Sequence, residues 1–166
     1  MPAAICVIFS SERQSVLLIK RRDVPVWILP GGGIEPSDPS PQAAAARETE
    51  EESGYRIAIK RLVGEYFPIN RLAGHSFVFE GTVISGSARI NSEASAVKFF
   101  SLKNLPKMPP PYREWIEEAL LNRKEPIKRK LKEVNYLAFC QNLFLHPLLM
   151  ARFLLSKIHL TINSSD

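Results

Sequence analysis

Apolar, largely β-branched residues run from Ala3 to Phe9 and from Ser15 to Lys20, with the polar stretch Ser-Ser-Glu-Arg-Gln-Ser between them. That pattern predicts two strands joined as a hairpin. A short strand from Val26 to Leu29 then enters a long loop, because the surrounding sequence is dense in proline and glycine. Ser40 is suited to a helix N-cap and Pro41 to the first helical position. Ala43 to Ala46 have high helix propensity, and Gly54 is suited to the stop, so a helix is expected between Ser40 and Gly54. Strands are expected at Ile57 to Val63, Glu65 to Ile69, Ser76 to Ser85 and Ala96 to Ser101. After a proline-rich linker, Tyr112, Trp115, Ile116, Ala119 and Leu120 fall on one face of an amphipathic helix. Strands in mixed order around a central helix, closed by a later helix, point to an α/β sandwich.

The last part of the chain differs. A basic stretch, Lys128 to Lys132, leads into a mostly apolar segment interrupted by Asn135, Gln141, Asn142, His146, Pro147 and Arg152. A membrane-spanning helix needs about 20 predominantly apolar residues, and these interruptions argue against one. Two short helices are expected instead. The reading is therefore a domain over residues 1–125 and a helical C-terminal extension over 126–166. That extension caps the domain or forms a homodimer surface; the alternative is peripheral contact with a membrane surface, given the adjacent lysines and Arg129.

Composition adds little to the fold. The 166 residues are 45% hydrophobic and 23% charged, which is globular, and the net charge of +5 favours anionic partners. No DNA-binding motif is present. Cys6 and Cys140 have neither metal-ligand spacing nor a disulfide-scaffold pattern, which fits reduced thiols in a cytoplasmic protein.

The expected helix carries a charge anomaly. Glu48, Glu50, Glu51 and Glu52 crowd into about one turn of a chain that is basic overall. Taking Glu48 as zero, Glu52 projects at about +40° and Glu51 at about −60°, whereas Glu50 points nearly the opposite way. Three carboxylates on one face suit a hard divalent cation such as Mg²⁺. A solvated acidic face is the alternative. The glycines Gly31 to Gly33 before the helix can bring backbone N–H groups close to an anion, and Arg47 adjoins the carboxylates.

From Gly32 to Tyr55 the chain resembles the Nudix box, G-x5-E-x7-R-E-U-x-E-E-x-G-U. Arg47, Glu48, Glu51, Glu52, Gly54 and Tyr55 fall on its second half. The resemblance extends through residues 1–122. There are departures: Asp38 stands where the box has glutamate, one extra residue separates it from Arg47, and Thr49 and Tyr55 replace more typical aliphatic residues. The resemblance implies a Nudix-like α/β/α sandwich with a mixed sheet. It also implies Mg²⁺-dependent hydrolysis (Mn²⁺ as a substitute) of a nucleoside diphosphate linked to another group. A module that binds a nucleotide without turnover is the alternative.

Under this resemblance Glu48, Glu51 and Glu52 are metal ligands and Arg47 orients a box carboxylate. Glu93 is the best general-base candidate outside the helix, since a metal-bound carboxylate is a poor base. An exposed loop glutamate is the alternative there. Arg21, Arg22, Gly32 and Gly33 are candidates for phosphate contact, Trp27 and Tyr66 for stacking on a base, and Arg71 for phosphate or sugar contact. The alternative for Arg21 and Arg22 is surface charge that needs no function, and for Arg71 a plain loop.

Overall fold

A computed structural model describes residues 1–137. Eight strands are present among them: β1 (Ala3–Ile8), β2 (Ser15–Arg21), β3 (Trp27–Ile28), β4 (Gly31–Gly33), β5 (Tyr55–Pro68), β6 (Ser76–Gly86), β7 (Ala94–Ser101) and β8 (Ile127–Leu131). Two α-helices, α1 (Pro41–Ser53) and α2 (Tyr112–Leu120), accompany them. The strands form a five-stranded mixed sheet, ordered β4-β1-β6-β5-β8, and a three-stranded antiparallel sheet, ordered β3-β2-β7. β1 runs parallel to β6, and β8 parallel to β5.

β1 shows why the fold is layered. Successive side chains of a strand point to opposite faces. Ala4, Cys6 and Ile8 pack with Ala44 and Ala45 of α1. Ile5, Val7 and Phe9 pack with Trp115, Ile116 and Ala119 of α2. A strand buried on both faces is continuously apolar, as parallel central strands are. The result is the expected α/β/α sandwich. α1 approaches closely because Ala44 and Ala45, both fully buried, present only methyl groups to the sheet. Thr49 and Ser53, also buried, satisfy their hydroxyls by donating to the carbonyls of Ala45 and Thr49. A box position usually aliphatic thus accepts threonine without an unmet polar group.

The ends of α1 follow the sequence. Ser40 Oγ accepts from the Ala43 N–H at 3.2 Å, and Gly54 stops the helix at φ +78° with its N–H on the Glu50 carbonyl. Four expectations change. The glycines expected in a loop form β4, paired with β1 at Ala3, Ala4 and Ile5. The two strands expected around Gly64 are one, β5, kept continuous by shifts of register between Ile59 and Arg61 and between Leu62 and Gly64. A side chain at Gly64 would collide with the ring of Tyr66, so glycine carries the bend there. Leu120 is 39% exposed, so α2 buries a narrower stripe than its apolar spacing indicates.

The fourth change concerns the basic stretch, read as the start of a helical extension. Residues Ile127–Leu131 are strand β8, with Ile127 and Leu131 turned to the α2 face and Lys128 and Lys130 turned outward. Alternation of apolar and basic residues is the strand period, masked in the sequence by the run of charge. Leu131 is 1% exposed. We expect Leu131→Ala to lower unfolding free energy by about 2–4 kcal/mol in urea titrations; an unchanged midpoint would place β8 outside the folded unit. Most of the apolar segment on which the expected helices, homodimer surface and membrane contact depend lies beyond 137, outside the described residues, as does Cys140. Cys6 is a buried free thiol. No described helix is long and apolar enough to cross a membrane.

Candidate active site

Two carboxylates are buried among the described residues, Glu80 and Glu52, and their surroundings differ. Glu80, on β6, is gripped by the guanidinium groups of Arg13 and Arg61. Its charge is compensated and its role is to tie elements together. Glu52, on α1, is 8% exposed and has no ion pair among the described residues. Its Oε2 accepts one bond, from the Gly31 N–H at 2.8 Å. Burial pushes the Glu52 carboxyl up to about 8, against the opposing effect of the Gly31 N–H, and the nearby charges of Glu48 and Glu93 raise it further. A carboxylate desolvated among like charges is a group built for a cation or a proton.

Glu48 lies one turn before Glu52 on the same face. Its side chain is 14% exposed, and burial, ahead of the opposing Arg47 charge, raises its carboxyl above the ordinary range. The carboxylate rests directly over Gly32: a Cβ there would stand 2.5 Å from the Glu48 carboxyl carbon. Glycine at this position leaves room for the carboxylate. Gly32→Ala is expected to displace it and to lower kcat/KM by roughly 10–100-fold, since small misplacements at reacting centres are costly. Steady-state kinetics with unchanged kcat/KM would contradict that role. Glu51, 58% exposed, stands at the outer end of the set.

Arg47 organises this face from one side. Its Nε and Nη2 grip Asp38 at 3.0 and 2.9 Å, its Nη2 also reaches the Gly33 carbonyl, and its Nη1 donates to Glu48 at 3.0 Å and to Glu51 at 3.1 Å. Asp38, the departure from the box, therefore makes a two-point contact with Arg47, and the Glu35 N–H donates to it as well. The Arg47 bonds hold the Asp38 carboxyl below the usual carboxylate range. The shorter side chain still reaches Arg47, presented by the turn Glu35 to Asp38, in which the Asp38 N–H bonds the Glu35 carbonyl.

Other candidates divide. Glu93 directly precedes β7, close enough for its charge to act on Glu48 and Glu52. Arg21 is close enough for its charge to act on Glu52, and Asp23 holds its guanidinium through Nε and Nη2. Arg22 bonds the loop before Glu93, donating to the Asn91 carbonyl at 3.2 Å. Gly33 carries the carbonyl that receives Arg47. Trp27 is half-buried, edge-on to Phe100 with centroids 4.6 Å apart. Tyr66 is corrected: it is fully buried on the α2 face, its hydroxyl donating to Glu118, and no base can stack on it. The register shifts of β5 turn it inward. Arg71 stands exposed in the turn between β5 and β6, and no contact joins it to the carboxylates.

Sequence reasoning missed three contributors. Asp23, two residues from Arg21, restrains that guanidinium. Tyr112, read only as a core position of α2, lies within electrostatic reach of both Arg21 and Glu52. Asn91 bonds the Glu51 carbonyl through its side-chain amide. Only the Arg21–Asp23 pair is local enough to be read from spacing.

The Glu48, Glu51 and Glu52 side chains share one helix face, but among the described residues no three acidic, histidine or cysteine groups converge into a formed metal cage. Arg47 and Gly31 hold them instead. The donor set nonetheless fits a hard cation: it is all carboxylate, and its innermost member has no direct ion pair among the described residues.

A mixed-sheet α/β/α sandwich with a carboxylate-bearing helix set against a glycine strand defines a hydrolase of the class whose box was legible in the sequence. The NUDIX domain family model matches residues 1–122, and the chain belongs to that family. It is a Nudix-type hydrolase acting on phosphoric anhydride bonds. A Bacillus subtilis (strain 168) protein described as "Putative 8-oxo-dGTP diphosphatase" is 33% identical over 133 residues, 80% of this chain and 88% of that protein. An ADP-ribose pyrophosphatase of Methanocaldococcus jannaschii is 38% identical over 101 residues, 57% of this chain and 59% of that protein. Among solved structures, a NUDIX hydrolase from Nitrosomonas europaea superposes with a TM-score of 0.67 at 22% identity, covering 78% of this chain and 77% of that one.

Proposed function

We propose that this chain is a Mg²⁺-dependent pyrophosphohydrolase that cleaves a nucleoside diphosphate linked to another moiety, with a small nucleotide as substrate. The observation that carries the reading is Glu52: a buried carboxylate without an ion pair, beside Glu48 and within reach of the Glu93 charge. Glu48, Glu51 and Glu52 would hold Mg²⁺, with Mn²⁺ as a substitute. Bound there, the ion neutralises pyrophosphate charge and lowers the pKa of water.

The remaining work falls to the chain itself. Arg47 is a positioning residue, since all its bonds go to Asp38, Gly33, Glu48 and Glu51. The Glu93 carboxylate accepts the proton of the water that attacks phosphorus, while the second phosphate leaves. Arg21 and Arg22 meet phosphate oxygens from the end of β2, Gly32 leaves room for the Glu48 carboxylate, Gly33 offers its carbonyl to Arg47, and Trp27 offers a ring to a base. Arg71 and Tyr66 have no part in this reading. The Asp38–Arg47 contact weakens the case for a turnover-free binding module, which rested on the altered first half of the box.

The test is a substrate panel with millimolar Mg²⁺: oxidised nucleoside triphosphates, ADP-ribose, nucleoside diphosphate sugars and dinucleoside polyphosphates. Release of phosphate-bearing products that stops with chelator supports the reading. Nucleotide binding by calorimetry with no product from any of these would overturn it.

A further inference from the structure

Glu93 has a difficulty as a general base. It is exposed, one residue before β7, and its carboxylate makes no hydrogen bond or ion pair of its own among the described residues. A proton acceptor must be held within about 0.5 Å of its working position. Its placement therefore has to come through the backbone of its loop.

The loop from Gly86 to Ala94 is fastened to α1 at two points. The Arg89 N–H bonds the Ser53 carbonyl at 2.9 Å, and the Asn91 side-chain amide donates to the Glu51 carbonyl. The same Asn91 side chain accepts, through Oδ1, from the N–H groups of Glu93 at 2.8 Å and Ala94 at 2.6 Å. A further bond joins the Asn91 N–H to the Ala94 carbonyl. Arg22, just past the neighbouring strand β2, closes the turn, its N–H on the Glu93 carbonyl and its guanidinium on the Asn91 carbonyl. One amide side chain thus holds the peptide of Glu93 with its oxygen and the carboxylate-bearing turn of α1 with its nitrogen.

We propose that Asn91 is a positioning residue that sets Glu93 against the Glu48–Glu51–Glu52 face of α1. The proposal rests on the reading of Glu93 as general base. Asparagine suits the task because its acceptor oxygen and its donor nitrogen are separate atoms, so one end can take two N–H groups while the other reaches a carbonyl on the helix. Arg89 gives the loop a second, separate bond to the helix end. What Asn91 adds is the orientation of the residue two positions on.

The experiment has two readouts. In metal-free protein, amide hydrogen exchange followed by NMR should show the Glu93 and Ala94 N–H groups protected in the wild type. In Asn91→Ala that protection should be lost while the core strands are unchanged. In turnover assays with Mg²⁺ and the panel nucleotide that the wild type hydrolyses fastest, Asn91→Ala should lose about 10–100-fold in kcat, as partners that orient catalytic groups do. Its KM should stay within about twofold. The double variant Asn91→Ala, Glu93→Gln should be no slower than Glu93→Gln alone, because both changes act through one carboxylate. Glu93→Gln at the wild-type rate would remove the base assignment and this proposal with it. With Glu93→Gln impaired, either a wild-type kcat in Asn91→Ala or losses that multiply in the double variant would overturn the positioning role alone. Unprotected Glu93 and Ala94 amides in the wild type would also overturn it.

Discussion

Replacing Glu52 with glutamine should nearly abolish turnover and, in the absence of metal, make the protein more stable. The two effects have one cause. Glu52 is buried with a single N–H partner, and its carboxyl is pushed up to about 8 from an ordinary value of 4.5. The native state therefore keeps a proton that the unfolded chain releases. With fewer protons bound in the unfolded state, stability falls as pH rises from near 4.5 to about 8, and is flat above that. Glutamine is neutral throughout and keeps an oxygen for the Gly31 N–H. Metal-free Glu52→Gln should gain roughly 1–3 kcal/mol at pH 8 over the wild type, with no gain near pH 4. Activity should drop by at least ~10²-fold, because losing even an outer partner of a metal ligand costs about 10–100-fold. Thermal unfolding at the two pH values and a turnover assay read both effects. Lower stability of the variant at pH 8 would mean that the carboxylate is already satisfied by the protein.

Arg47→Lys is expected to lower kcat/KM by about 10–100-fold although charge is conserved. A planar fork lets Arg47 hold both Asp38 oxygens while its Nη1 reaches Glu48 and Glu51. An ammonium is a point donor and cannot span these groups together. The Glu48 and Glu51 carboxylates would then be free to rotate, whereas the helix itself needs no change. The loss should appear with both Mg²⁺ and Mn²⁺. A lysine variant with wild-type kcat/KM would reduce Arg47 to a charge and leave its geometry without consequence.

The carboxylate face was legible because it is local. Glu48, Glu51 and Glu52 sit on one helix, whose period fixes their common direction, and Ser40 and Gly54 set its ends. What spacing did not give was their inequality. Glu52 is buried and Glu51 exposed because β4 passes beside one edge of α1, a contact between distant segments. Tyr66 went wrong for a related reason. In a strand the face of a residue depends on register, and β5 shifts register between Leu62 and Gly64, just before Tyr66. The charge of Lys128, Arg129 and Lys130 hid the strand period of β8, although Ile127 and Leu131 kept it. Asn91 had no motif to mark it. Its partners lie on α1 and in its own turn, and only the fold brings the helix near.

The most direct measurement is anomalous diffraction from crystals grown with Mn²⁺ and a non-hydrolysable nucleotide. We expect a manganese peak among the oxygens of Glu48, Glu51 and Glu52, shared with the pyrophosphate. A peak at another place, with Glu52 still bonded only to Gly31 and the Glu48 and Glu51 carboxylates still held by Arg47, would contradict it.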